Sequence, residues 1–276
     1  MTDENQKHQI LVATDLSARS DRAVDRAISL AKALGTKPTV CHVVAPESAH
    51  ALDQGKLREM VRSVLPDPDA DIDIVLPSGS APETIAKVAD ELNPLFIIMG
   101  VARYNSVGDY FLGTAVDHVV RRARAPVLIV KHRPHKPYRR ILCAVDFSAH
   151  SAKALLAALR LFPQAKVIAI HAYHVPFESW NKADYVREEV AATALRDLED
   201  FLKDQPISDE DRERLESRTG YGDVGSALKK EMASEEFDLV VFGTHGMGGF
   251  RHATLGSVAS SLLEWVVPDT LVVPPR

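Results

Sequence analysis

"ILVATDLSARSDRAVDRAISLAKAL", residues 10–34, returns as "ILCAVDFSAHSAKALLAALRLF" at 141–162, and this echo decides how the rest of the chain is read. It sets Asp15 over Asp146, Ser17 over Ser148 and Ser20 over Ser151. Further on, "CHV" at 41–43 answers "IHA" at 170–172, and "SGSAPETIAKVADELNPLFIIMG" at 78–100 answers "YGDVGSALKKEMASEEFDLVVFG" at 221–243. A constant offset then brings Gly79 onto Gly222, Gly100 onto Gly243 and Gly113 onto Gly256. Self-similarity on this scale means two alike units in tandem. They are drawn at 1–132 and 141–276, joined by a linker at 133–140. That linker lies inside "KHRPHKPYRR" (131–140), whose prolines and charges suit a solvated connection.

Within each unit, apolar runs alternate with stretches of helical period. In the first unit "ILVAT", "PTVCHVV", "DIDIVL", "LFIIM" and "VLIV" read as strands, and "KLREMVRSVL", "APETIAKVADEL" and "GTAVDHVVRRA" as helices. Ser20 is placed to cap the helix that carries Ala23, Ala27, Leu30, Ala31 and Leu34 on one face. Leu195, Leu198 and Leu202 give the second unit a further helix facing its sheet. Strands that are apolar throughout, separated by helices, predict a parallel sheet covered on both faces. The expected class is therefore α/β: two tandem doubly wound five-stranded sheets in 3-2-1-4-5 order, with helices on both faces.

The chain of 276 residues is 46% hydrophobic and 26% charged, with a formal net charge of −5, so a general nucleic-acid surface is not expected. No apolar run approaches the length of a membrane span and the N-terminus is polar, which makes a cytoplasmic location the default expectation. Cys41 and Cys143 sit inside apolar runs and read as small buried hydrophobes. The scattered histidines, among them His132, His135, His171, His174, His245 and His252, have no zinc-ligand spacing, and no metal site is expected of them.

In a doubly wound sheet, ligands bind beyond the carboxyl ends of the strands where strand order reverses, here between the first and fourth strands of a unit. In the second unit the first strand ends at Asp146. The fourth enters the spaced run G-x2-G-x9-G-S: Gly243, Gly246, Gly256 and Ser257, followed by an apolar helix pattern at Val258, Leu262 and Val266. Glycines let phosphate oxygens approach the unpaired amides of a helix N-terminus. Arg251, His245 and His252 stand in the same loop with no acidic residue, so the local charge also suits an anion. The run is neither a Walker A loop nor a dinucleotide fingerprint. A tight strand-to-helix turn is its plainer reading, as a turn or cap role is for Asp15 and Asp146.

The doubled unit, the "ATDLS" and "AVDFS" strand ends, the "IHA" strand and above all G-x2-G-x9-G-S resemble the tandem two-domain form of the universal stress protein family, over almost the whole chain. The resemblance implies ATP binding by the second unit. By that likeness Ala144, Val145 and Asp146 hold ribose and adenine, Ala172 meets the adenine edge, and Gly243, Gly246, Gly256, Ser257 and Val258 cradle the phosphates. Mg or Mn would be carried in by those phosphates. The first unit departs from the motif: Arg103 stands where the second glycine belongs and Asp109 joins its loop, so it is expected to bind ATP weakly or not at all. The implied role is regulatory, in a stress response, with no catalytic residue assigned. The alternatives are a slow ATPase or phosphotransfer enzyme using the same pocket, and a non-binding dimerisation scaffold. The expected partners are an adenine nucleotide and, through "VLIVK" and "TLVVPP", pairing of the two domains, with a homodimer as a further option, and no nucleic acid or membrane.

Overall fold

The structure, a computed structural model, describes residues 9–49, 53–65, 67–106, 109–111, 113–175, 184–246 and 255–275. The chain divides into two compact units, residues 1–137 with 263–274, and residues 138–262.

The first unit begins β1 (Ile10–Ala13), α1 (Asp21–Ala33), β2 (Pro38–Cys41), α2 (Pro46–Ala49), α3 (Gln54–Ser63), β3 (Asp73–Val75), α4 (Ala81–Leu92) and β4 (Phe96–Gly100). It continues through β5 (Arg103–Ser106), β6 (Asp109–Phe111), α5 (Thr114–Arg122) and β7 (Val127–Val130). All residues of β1 are buried, because a central parallel strand is covered on both faces. β1 pairs in parallel with β2 and β4, β2 with β3, and β4 with β7, giving the order β3-β2-β1-β4-β7. This is the predicted 3-2-1-4-5 sequence, and right-handed crossovers about its reversal point send helices to both faces.

The second unit holds β8 (Arg140–Ala144), α6 (Ala149–Leu161), β9 (Lys166–Tyr173), α7 (Asp184–Lys203), α8 (Asp209–Glu213), β10 (Leu215–Tyr221), α9 (Val224–Ser234) and β11 (Leu239–Gly243). After these come α10 (Ser257–Trp265) and β12 (Asp269–Val273). Parallel pairing gives β10-β9-β8-β11, the same winding. Leu198 and Leu202 are buried as their spacing predicts, whereas Leu195 is only half-buried.

The expected count of five strands per sheet needs correction. β12 lies in the first compact unit and pairs antiparallel with β7, Leu271 opposite Leu128, so among the described residues the units contribute six and four strands to the main sheet, with the β5–β6 pair apart from it. An edge strand as apolar as β7 needs a partner for its backbone groups, and β12 supplies one.

The solvated reading of 131–140 needs correction at two residues. Lys131 is 0% and Tyr138 3% exposed. Lys131 donates through Nζ to the Val266 carbonyl and to Thr270 Oγ1 at 3.1 Å. The buried Asp269 carboxylate accepts from the amides of Lys131 at 2.7 Å and His132 at 3.1 Å, and pairs with the Arg26 guanidinium at 3.5 Å. Burial lowers the Lys131 ammonium to about 7, against the opposing pull of Asp269. Tyr138 packs edge-on against Phe162 at 5.4 Å.

Candidate functional site

Beyond β8 the chain makes the same turn as beyond β1. Asp146 Oδ1 accepts from the Ser148 amide at 3.1 Å and its hydroxyl at 2.6 Å; Asp15 Oδ1 accepts from Ser17 at 3.0 and 2.6 Å. Between aspartate and serine, Phe147 (φ 64°) and Leu16 (φ 61°) adopt the left-handed conformation, costly for a side-chain-bearing residue. Finding it at matching positions in both units marks a backbone shape that the aspartate's placement requires. Burial would raise the Asp15 carboxyl, but hydrogen bonds, those of Ser17 foremost and that of Ser20 with them, together hold the group below its ordinary value. The turn reading of these aspartates therefore describes their geometry, and it leaves Asp146 at the mouth of a recess.

Ser148 caps α6 by accepting from the Ser151 amide. Ser20, by contrast, makes no side-chain cap: its hydroxyl lies 2.8 Å from Thr14 Oγ1 and donates to the Ser17 carbonyl. The cap expected there is a second tie across the turn.

Strand β9 overruns β8. The last rung of that ladder sets Ala144 opposite Ile170, whose carbonyl accepts from the Val145 amide at 2.9 Å. Backbone groups alternate sides along a strand, so Ala172 directs its amide and carbonyl the same way as Ile170, past the end of β8. A main-chain donor and acceptor two residues beyond the neighbouring strand suit the hydrogen-bonding edge of a flat heterocycle.

From the other side comes the glycine run. β11 ends at Gly243, where an added Cβ would press on the backbone of His150 at 3.2 Å. At Gly246 an added Cβ would fall 2.6 Å from Asp146 Oδ2. The second glycine of the motif thus lies against the carboxylate that ends the first strand, although 100 residues separate them in sequence. The Gly256 amide donates to the Thr244 carbonyl at 2.9 Å, closing the loop at its base, and the Gly256 carbonyl accepts from Ser260 to open α10. The first-turn amides of α10, beginning at Ser257 and Val258, have no intrahelical acceptor and carry the positive end of the helix dipole. Arg251 and His252 lie outside the described residues.

These pieces converge. Ala144, Val145, Asp146 and Ala172 line one recess of about 730 Å³ together with Gly243, Gly246, Gly256, Ser257 and Val258. All nine residues singled out from the sequence are therefore brought together. Its further lining residues include two histidines, His171 and His174, that sequence reasoning did not assign to it. His171 lines the recess, with Nδ1 2.9 Å from the Val145 carbonyl and its ring stacked on Phe147 at 4.1 Å. His174 and His245 also line it. The signal for His171 was in the repeat: His42 holds the Thr14 carbonyl in the same way at 3.0 Å.

A smaller recess of about 450 Å³ occupies the matching place in the first unit, lined among others by Asp15, His42, Val43, Gly100 and Gly113. Its loop differs. The segment after Gly100 folds into an antiparallel hairpin, β5 on β6, with Arg103 opposite Phe111 and Tyr104 opposite Tyr110. The side chains of Arg103 and Asp109 lie outside the described set.

The universal stress protein family model matches residues 7–131 and 137–274. A universal stress protein of Mycolicibacterium smegmatis is 22% identical over 98% of each chain, and one of Mycobacterium tuberculosis is 23% identical over 96% of each. Among solved structures, a universal stress protein from Archaeoglobus fulgidus superposes with a TM-score of 0.70 at 19% identity, covering 98% of this chain and 100% of that one. This last likeness concerns the fold.

Proposed function

The chain belongs to the universal stress protein family, and from that premise we propose that its second unit binds an adenine nucleotide, ATP foremost, for a regulatory purpose. The observation that carries the reading is the meeting of Gly246 with the Asp146 carboxylate beside the N-terminus of α10. A polyanion next to a carboxylate is tolerable only where amides and a helix dipole offset the repulsion, and the glycine loop provides both. The Ala172 edge takes the base, Asp146 accepts from the ribose hydroxyls, and Gly246, Gly256, Ser257 and Val258 offer amides to the phosphates. The open space of the recess, about 730 Å³, suits this ligand.

Mg or Mn would travel on the phosphates and there neutralise their charge. Among the described residues no group of three or more His, Cys, Asp or Glu converges to hold an ion unaided. A regulatory role is favoured because the two carboxylates on the recess already have local duties: Asp146 ties the Ser148 turn, and Asp223 caps α9 through Ser226. Phosphoryl transfer needs a residue set to orient the attacking group.

Titration calorimetry with ATP and Mg²⁺ tests the reading. One tightly bound molecule per chain is expected, and that tight site is lost in Gly246→Arg. A flat titration of the folded wild-type chain at millimolar ATP would overturn it.

A further inference from the structure

The first unit keeps one half of a nucleotide site and has rebuilt the other. What remains is the nucleoside end. Asp15 is tied by Ser17 as Asp146 is by Ser148, and His42 clasps the Thr14 carbonyl as His171 clasps that of Val145. The Cys41 carbonyl accepts from the Thr14 amide at 3.0 Å, so Val43, two residues on, turns its backbone groups past the end of β1 as Ala172 does past β8. Apolar walls are present as well, since Ile85, Met99 and Val116 line the recess.

The phosphate end is different in kind. After Gly100 the first unit has the β5–β6 hairpin, whose ladder pairs the backbone of Arg103, at the place of the motif's second glycine, with that of Phe111. The Ala102 methyl lies only 2.7 Å from where a Cβ on Gly113 would stand, so it covers the glycine before α5. Arg19 donates to the Ala102 carbonyl at 3.0 Å and ties the start of the hairpin to the turn after β1. The recess reaches Ala102 and Gly113 and is smaller than that of the second unit, about 450 against about 730 Å³.

We infer that the first recess is a second ligand site, selective for an adenine nucleoside that carries no polyphosphate. The choice of adenine rests on the reading of the second recess, whose base edge it shares. The chain would then sense two related molecules: a nucleoside triphosphate in one unit and a dephosphorylated nucleoside in the other.

The test uses the full chain carrying Gly246→Arg, with adenosine and ATP as probes in calorimetry. Adenosine is expected to bind once per chain and ATP about tenfold more weakly or less. Adding Asp15→Ala, at an exposed position, is expected to weaken adenosine by about tenfold or more, the worth of a hydrogen bond to a charged group. Hydrogen exchange should show adenosine protecting residues 41–44 and 113–116, a readout that a general loss of structure would not give. No adenosine binding to the Gly246→Arg chain, or ATP bound as tightly as adenosine, overturns the inference. Failure of the wild-type chain to bind ATP sinks the reading of the second recess alone, because the adenosine arm is measured separately.

Discussion

Gly246 illustrates how much chemistry one hydrogen atom in place of a side chain can decide. An alanine there would set its methyl 2.6 Å from Asp146 Oδ2, so carboxylate or loop must shift. Gly246→Ala is expected to weaken ATP by about 10- to 100-fold, the loss of one charge-assisted hydrogen bond, with thermal stability nearly unchanged because the residue is exposed. Ser257→Ala should cost less, since the amide at that position survives. Calorimetry beside thermal denaturation checks both. The two cysteines sit at the other extreme. Burial pushes both thiols up to about 12, so Cys41 and Cys143 hold little thiolate at neutral pH. Neither should react with an excess of a thiol reagent in the native chain within hours, and both should react at once in denaturant. Their burial was legible from the apolar runs around them. The stack of Phe147 on His171 was not, because 24 residues of chain return the two rings to one place only once β8 and β9 are paired.

At the scale of elements, the buried pairing of β7 with β12 makes a pH-dependent prediction. Lys131 titrates near 7 in the folded chain against 10.5 for an ordinary lysine, mainly through burial. Between those values the unfolded chain binds the extra proton, so stability from this group rises with pH across the window and falls as pH drops towards 7. The slope expected is at most about 1.4 kcal/mol per pH unit, that of a single proton. Urea unfolding from about pH 7.5 to about pH 9, inside that window, should show the rise in the wild-type chain and a flatter profile in Lys131→Met. Period and punctuation made most elements legible beforehand: α4 spans Ala81–Leu92, as read from its apolar spacing. They could not show that "KHRPHKPYRR" begins with a lysine sealed from water. Lysine at a strand end is ordinarily solvated, and only an acceptor set assembled from Val266 and Thr270, far along the chain, makes its burial tolerable.

At the scale of the whole molecule, residues 263–274 belong with the first compact unit although they close the sequence of the second repeat. Removing everything after Leu262 is therefore expected to loosen the first unit: amides of Val127–Val130 should exchange faster, by at least about tenfold, once β7 loses β12. Unchanged protection on β7 would contradict that assignment. Among the described residues no helix is long and apolar enough to cross a membrane. What the sequence by itself determined was the doubled α/β plan, the winding order and the nine residues that share a recess, because each rests on local periodicity or on a motif repeated at constant offset. What only the tertiary structure decided was where the last strand goes, which histidine joins the site, and how the first loop becomes a hairpin. The first two depend on contacts between residues tens to more than a hundred positions apart, and pairing over such distances is set by packing and edge satisfaction, which no local window of sequence contains.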